Sequence, residues 1–137
     1  DVSPLSALVN LDELRLGGMG ITDLTPLSGL TVLTVLWLEG NLFTDISPLS
    51  TLTTLEEIFL FTTPITDISA LQNLTALTNV QLMDVVGLSD IQPLIDNAGL
   101  GAGDTVNLEN VSPSLPCADV TALQGKGVTV SFTVCAS

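Results

Sequence analysis

The chain has 137 residues, of which 46% are apolar and only 4% aromatic, with no Tyr and no His. Fifteen Asp and Glu against Arg15 and Lys126 give a formal charge of -13, which repels phosphate backbones and argues against a nucleic-acid partner. No run reaches the roughly 18 to 20 apolar residues of a membrane helix, and no basic-then-apolar leader opens the sequence, so membrane insertion is not expected.

A unit recurs from the first residue: Asp1-Val-Ser-Pro-Leu-Ser, Asp23-Leu-Thr-Pro-Leu-Ser, Asp45-Ile-Ser-Pro-Leu-Ser, Asp67-Ile-Ser-Ala-Leu-Gln and Asp90-Ile-Gln-Pro-Leu-Ile. The starts at Asp1, Asp23, Asp45 and Asp67 are evenly spaced, and Asp90 falls one place beyond the even step. A period of that length marks a solenoid, in which each unit touches only its neighbours and the stack shares one core. Since Asp1 already lies within a repeat, a leader or upstream segment is expected to have been removed or left out. The first coil then offers an open apolar side, which either continues into a longer protein or docks on another chain.

Each unit divides into two halves. Ser or Thr before Pro, as in Thr25-Pro26 and Ser47-Pro48, predicts a helix cap followed by proline at the first helical position. A short 3₁₀ or α turn should follow on the convex side, with Leu27 and Leu30 pointing at the sheet. In the other half, Leu14-x-Leu16, Leu36-x-Leu38, Ile58-x-Leu60 and Val80-x-Leu82 alternate as short strands with one buried and one exposed face. Consecutive strands should pair in parallel about 4.8 Å apart and form the concave side.

In the unit from Asp23, Leu33-x-x-Leu36-x-Leu38-x-x-Asn41 matches the leucine-rich-repeat signature. Residues 1–110 resemble the 22-residue repeats of bacterial internalin-type proteins. The resemblance implies a right-handed α/β solenoid and, as one setting, adhesion at a host surface. The Asn place is held in turn by Met19, Asn41, Thr63 and Val85. Backbone groups or water are expected to replace its hydrogen bonds where Asn is absent.

After Asp90 the pattern changes, and 97–104 reads as a longer loop before a strand at 105–108. Its glycines lack a following Lys-Ser/Thr and miss the dinucleotide spacing, which excludes a phosphate loop. Residues 111–137 read as a C-terminal cap, with a helix over 116–124, a stop at Gly125 and a strand in which Val128, Val130, Phe132 and Val134 alternate. Cys117 and Cys135, the only cysteines, are expected to form a disulfide that stabilises by roughly 3 kcal/mol; two buried free thiols are the alternative. A disulfide points to secretion or the cell surface. The cap also looks like those of secreted bacterial leucine-rich proteins.

The outward strand positions gather Trp37, Phe59 and Phe61, with Val35 and Met83 extending the patch and Glu39, Glu57 and Asp84 at its rim. Large rigid side chains edged by charge form a recognition surface for a protein or glycan. The row Asp1, Asp23, Asp45, Asp67 and Asp90 reads as turn caps, with a calcium ladder along Asp23, Asp45 and Asp67 as the alternative. Asn73-Leu-Thr75 and Asn110-Val-Ser112 match the glycosylation acceptor pattern. No nucleophile has a recognisable base beside it, so neither an enzyme nor a cofactor is expected. The rival to a binding module is a structural subunit, a homo-oligomer that assembles head-to-tail through the open first coil into a filament or sheath.

Overall fold

The computed structural model describes residues 1–136. Six short strands, β1 (Glu13–Arg15), β2 (Val35–Trp37), β3 (Glu57–Phe59), β4 (Asn79–Gln81), β5 (Thr105–Leu108) and β6 (Thr129–Phe132), form one parallel sheet in sequence order. The opposite wall is made of 3₁₀ turns at Ser3–Ala7, Thr25–Leu27, Ser47–Thr51 and Ser69–Leu71. It continues into the α-helical turn α1 (Gln92–Asp96) and the cap helix α2 (Cys117–Gly125). Leucine-rich coils of this kind stack into the open solenoid that the repeat predicts.

The period fixes the register. Leu14 pairs with Leu36, Leu36 with Ile58, and Ile58 with Val80, each partner standing one repeat further along the chain. Four of the inward side chains in this row, Leu36, Ile58, Val80 and Val106, are essentially inaccessible. Behind them stand Leu27, Leu30, Leu49, Leu52, Leu71 and Leu74 from the convex turns, all buried in the same cluster. Val80 meets Val106, not the Ala102 that an even spacing would bring beside it. The insertion at 97–104 therefore leaves the sheet as a loop, and the pairing continues undisturbed.

That loop is organised by Asn97, which is fully buried. Its amide donates to Leu71 O and Leu74 O at 2.8 and 3.1 Å, while its Oδ1 accepts from the N–H groups of Gly99 and Leu100. Lys126 Nζ reaches in from the cap and donates to the Ile95 and Asn97 carbonyls. A lysine at the end of α1 satisfies carbonyls that have no partner within the helix.

The cap of each convex turn corrects one expectation. Ser47 and Thr25 lie inside the turns and make no side-chain cap bond. The preceding aspartate acts instead. Oδ1 of Asp1, Asp23, Asp45, Asp67 and Asp90 accepts the N–H two residues on, at 2.9, 2.8, 2.8, 2.7 and 2.8 Å. A short carboxylate side chain closes this Asx-type turn onto its own backbone just ahead of the helical turn, which carries Pro at its second residue in every coil but the fourth, where Ala70 stands.

After β1 to β5 the chain turns through the left-handed region at an equivalent place: Gly18, Gly40, Thr62, Asp84 and Asn110, with φ of 66, 66, 58, 61 and 55°. Thr62 is the β-branched member, and its Cβ is crowded there as glycine's hydrogen is not. Thr62→Gly is therefore expected to raise the unfolding free energy by about 1 kcal/mol, read as a shift of the urea midpoint.

At the C-terminal end, Cys117 and Cys135 form a disulfide with Cα atoms 4.9 Å apart. Beside it Cys117 N–H donates to Ala136 O and Ala136 N–H to Leu115 O. Val120, Leu123 and Val128 close the core. The final strand is shorter than the alternation to Val134 predicts, because the chain leaves the sheet after Phe132 and turns toward Cys135. In the first coil the turn Ser3–Ala7 buries no residue, and Leu8 and Val9 are exposed.

Candidate functional site

The outward side chains of the strands stand in columns across the coils. The register sets Glu13, Val35, Glu57, Asn79 and Thr105 in one, and Arg15, Trp37, Phe59, Gln81 and Asn107 in the next. The ladder continues past the strands, with Gly40 N–H donating to Phe61 O and Thr62 N–H to Met83 O. This aligns Gly17, Glu39, Phe61 and Met83 as a third column. The residues expected at the recognition surface therefore share one face: Val35, Trp37, Glu39, Glu57, Phe59, Phe61 and Met83.

The middle column is a stack. Trp37 and Phe59 lie 3.6 Å apart between ring centroids and 7° from parallel. The Arg15 guanidinium carbon sits 4.9 Å from the centroid of the Trp37 ring, making a cation–π contact. Arg15 Nε also donates to Glu13 Oε1 at 2.6 Å, the one ion pair among the described residues. Strands spaced at sheet distance bring planar side chains into this arrangement directly. One consequence is that Phe59 is only 9% exposed. It acts as the wall on which Trp37 leans, while Trp37 and Phe61 keep partial access to solvent.

Beyond Phe59 the face becomes polar. Asn79 Nδ2 donates to Glu57 Oε2 at 3.0 Å, Gln81 Nε2 to Asn79 Oδ1 at 2.6 Å, and Thr105 Oγ1 to the same Asn79 oxygen at 3.2 Å. On the other side the Glu39 carboxylate lies over Gly17, where any Cβ would overlap it. Trp37 Nε1 and Glu39 Oε2 are buried without a hydrogen-bond partner.

Arg15 and Gly17 belong to this site as much as the residues singled out from composition. The signal for them lies in the spacing, since they stand one repeat before Trp37 and Glu39. The glycosylation candidates lie elsewhere. Asn73 is exposed on the convex side, and Asn110 sits at the left-handed corner, donating from Nδ2 to Asp84 Oδ1 at 3.0 Å.

The aspartate row is committed to its turns. Among the described residues no group of three or more His, Cys, Asp or Glu converges as a metal site. The Thr25 side chain, followed by its backbone N–H, holds the Asp23 carboxyl below the ordinary aspartate value. At Asp45 the Ser47 N–H contributes most, followed by the Ser47 side chain. Because both carboxyls are lowered in the folded state, their contribution is present above the unfolded-state pKa and lost as pH falls through the lowered values. Thermal unfolding should therefore show a lower midpoint at about pH 3 than at about pH 7, and Asp23→Asn/Asp45→Asn should reduce that difference.

Comparison with known proteins agrees with this geometry. The family described as Leucine Rich repeats (2 copies) matches residues 9–51 and 31–73. The crystal structure of internalin C2 from Listeria monocytogenes superposes with a TM-score of 0.76 at 32% identity, over 97% of this chain and 56% of that one. The chain thus spans little more than half of that structure's length. A leucine-rich-repeat protein from Leptospira interrogans gives a TM-score of 0.74 at 15% identity, covering 96% of this chain and 35% of that one, and so shows the fold alone. No curated protein matches the chain. The repeat signature, the coil-by-coil register and these likenesses together show a leucine-rich-repeat fold, with coils similar to those of an internalin.

Proposed function

We propose that this chain is a binding module that holds a protein partner against its concave sheet, without turnover, in a secreted or cell-surface protein. The observation that carries the reading is the stacked row Arg15–Trp37–Phe59, flanked by Phe61, on a solvent-facing sheet. Nothing in the core needs these aromatics, because the aliphatic spine lies on the other side of the strands. Aromatic and Arg side chains supply contact area at low entropic cost and dominate binding where they are partly desolvated beforehand. The disulfide and the internalin-like coils support the extracellular setting.

A protein fits this face better than a glycan. A sugar ring stacks on the flat face of an indole, but one face of Trp37 is covered by Phe59 and the other by Arg15. Ring edges and partly exposed apolar groups are what remain, and these suit packing against protein side chains.

The test uses Trp37→Ala and Phe61→Ala against a partner found by screening surface proteins. Each substitution is expected to weaken binding by at least about tenfold, while the thermal midpoint stays within about 3 °C of the parent. An unchanged dissociation constant for both would remove the concave face from consideration. Phe59→Ala is not the variant of choice, because it also exposes Trp37 and the strand beneath.

A further inference from the structure

We infer that the corner of the solenoid beside the concave sheet carries a second part of the binding surface, an apolar ridge fitted to a protein segment whose apolar side chains are flanked by Lys or Arg. The inference rests on the protein-binding reading given above and extends its footprint and chemistry.

Just past the left-handed corner, the second and third coils turn one side chain inward, the next outward and the third inward again, and the fourth begins the same way. In the second coil these are Asn41, Leu42 and Phe43; in the third, Thr63, Pro64 and Ile65. In the fourth, Val85 points in and Val86 out. The outward place is apolar and open in all three, with Leu42 62% and Val86 72% exposed and Pro64 also exposed. Residues at one place of the repeat come side by side in neighbouring coils, so the three form a ridge. In the first coil that place is Gly20, so the ridge begins at Leu42.

The folded chain gains little from these side chains, since their neighbours on either side in sequence are the ones that enter the core. Nor is the corner indifferent to residue type. The next outward place holds Thr22, Thr44 and Thr66, all exposed and all hydroxyl-bearing. An apolar residue kept in three consecutive coils, beside a polar row, has the character of a contact surface. The ridge also adjoins the concave face, because Phe61 and Met83 are the last outward residues before the corner.

Charge selects the partner. Between Arg15 and Lys126 the sequence contains no Lys or Arg. Along the chain the ridge residues are flanked by acids, Leu42 by Glu39 and Asp45, Pro64 by Asp67, and Val86 by Asp84 and Asp90. A partner whose apolar residues lie along the ridge brings its flanks near these acids, where basic groups are attracted and acidic ones repelled.

The experiment measures binding of three fluorescent peptides of equal length, each with the same Leu, Val and Phe residues, flanked by Lys, Gln or Glu. The Lys peptide is expected to bind about tenfold or more tightly than the Glu peptide, with the preference shrinking in about 0.5 M salt. Leu42→Ser/Val86→Ser should weaken the Lys peptide about tenfold at an unchanged thermal midpoint. Trp37→Ala reports on the concave face separately. Loss with the ridge variant but not with Trp37→Ala supports the ridge and counts against the concave reading. Loss with Trp37→Ala alone keeps the concave reading and overturns the ridge. No binding of the Lys peptide, or equal binding of all three, overturns the inference.

Discussion

Asn41→Ala should lower the unfolding free energy by about 4 kcal/mol, one of the two largest losses expected from a single substitution in this chain. Asn41 is only 2% exposed. Its Oδ1 accepts from Met19 N–H at 3.1 Å and Ile21 N–H at 3.0 Å, and its Nδ2 donates to Leu16 O at 2.9 Å and Leu38 O at 2.8 Å. Alanine strands four backbone groups, those of Ile21 and Leu38 in buried bonds and those of Met19 and Leu16 in part-buried ones, at about 1 to 3 kcal/mol for each buried group and less where water can reach. Urea denaturation followed by circular dichroism measures the change. Thr63→Val is the internal comparison. At the same place of the next coil, Thr63 makes one bond, from Oγ1 to Leu60 O at 2.6 Å, so about 1 kcal/mol is expected there. Equal effects at the two sites would show that Asn41 does not bind the first two coils together.

Ile58→Ala should cost about as much, roughly 4 kcal/mol, for a different reason. Ile58 faces inward at the middle of β3, paired with Leu36 on one side and Val80 on the other, and is fully buried. Truncation leaves a cavity in a spine whose neighbours are fixed by strand pairing on both sides, so collapse is limited. Leu5→Ala, in the partly buried first coil, should cost about 1 kcal/mol, since less apolar surface is removed from contact there. Stability in a solenoid is close to a sum over coils and their interfaces, which makes the contrast measurable by the same urea titration.

Why the fold can be read from sequence is visible at Leu14, Leu36, Ile58 and Val80. An even repeat places each of them on its predecessor, and the observed register follows that spacing residue for residue. The concave columns are legible for the same reason. The capping chemistry is legible in part, because Asp-x-Ser-Pro offers both an Asp turn cap and a Ser or Thr helix cap, and the backbone path gives the N–H to Asp45 and no cap bond to Ser47. Asn97 is hidden because it stands where the preceding units have Leu30, Leu52 and Leu74, so the frame leads one to expect a core leucine there and not a side chain bonded to Leu71 O and Leu74 O. Spacing places Trp37 beside Phe59 but does not tell how rings will turn. The stack that covers Phe59 depends on side-chain torsions, and those follow from packing across three coils.

The Asn ladder is a similar case. Sequence shows that Asn41 has no counterpart in the other coils, and backbone or water is expected to take over there. Part of the answer lies with Thr63, whose own hydroxyl serves Leu60 O. At Val85 the backbone alone closes the turn, by Val85 N–H to Leu82 O at 3.2 Å.

The concave face can be interrogated by the fluorescence of Trp37, the chain's single tryptophan, recorded while a bound protein partner is titrated in and acrylamide is used as quencher. Engagement of the Arg15–Trp37–Phe59 row predicts a shifted emission and reduced quenching that saturate with the same constant as binding. A partner that binds tightly yet leaves the emission and quenching of Trp37 unchanged would contradict it.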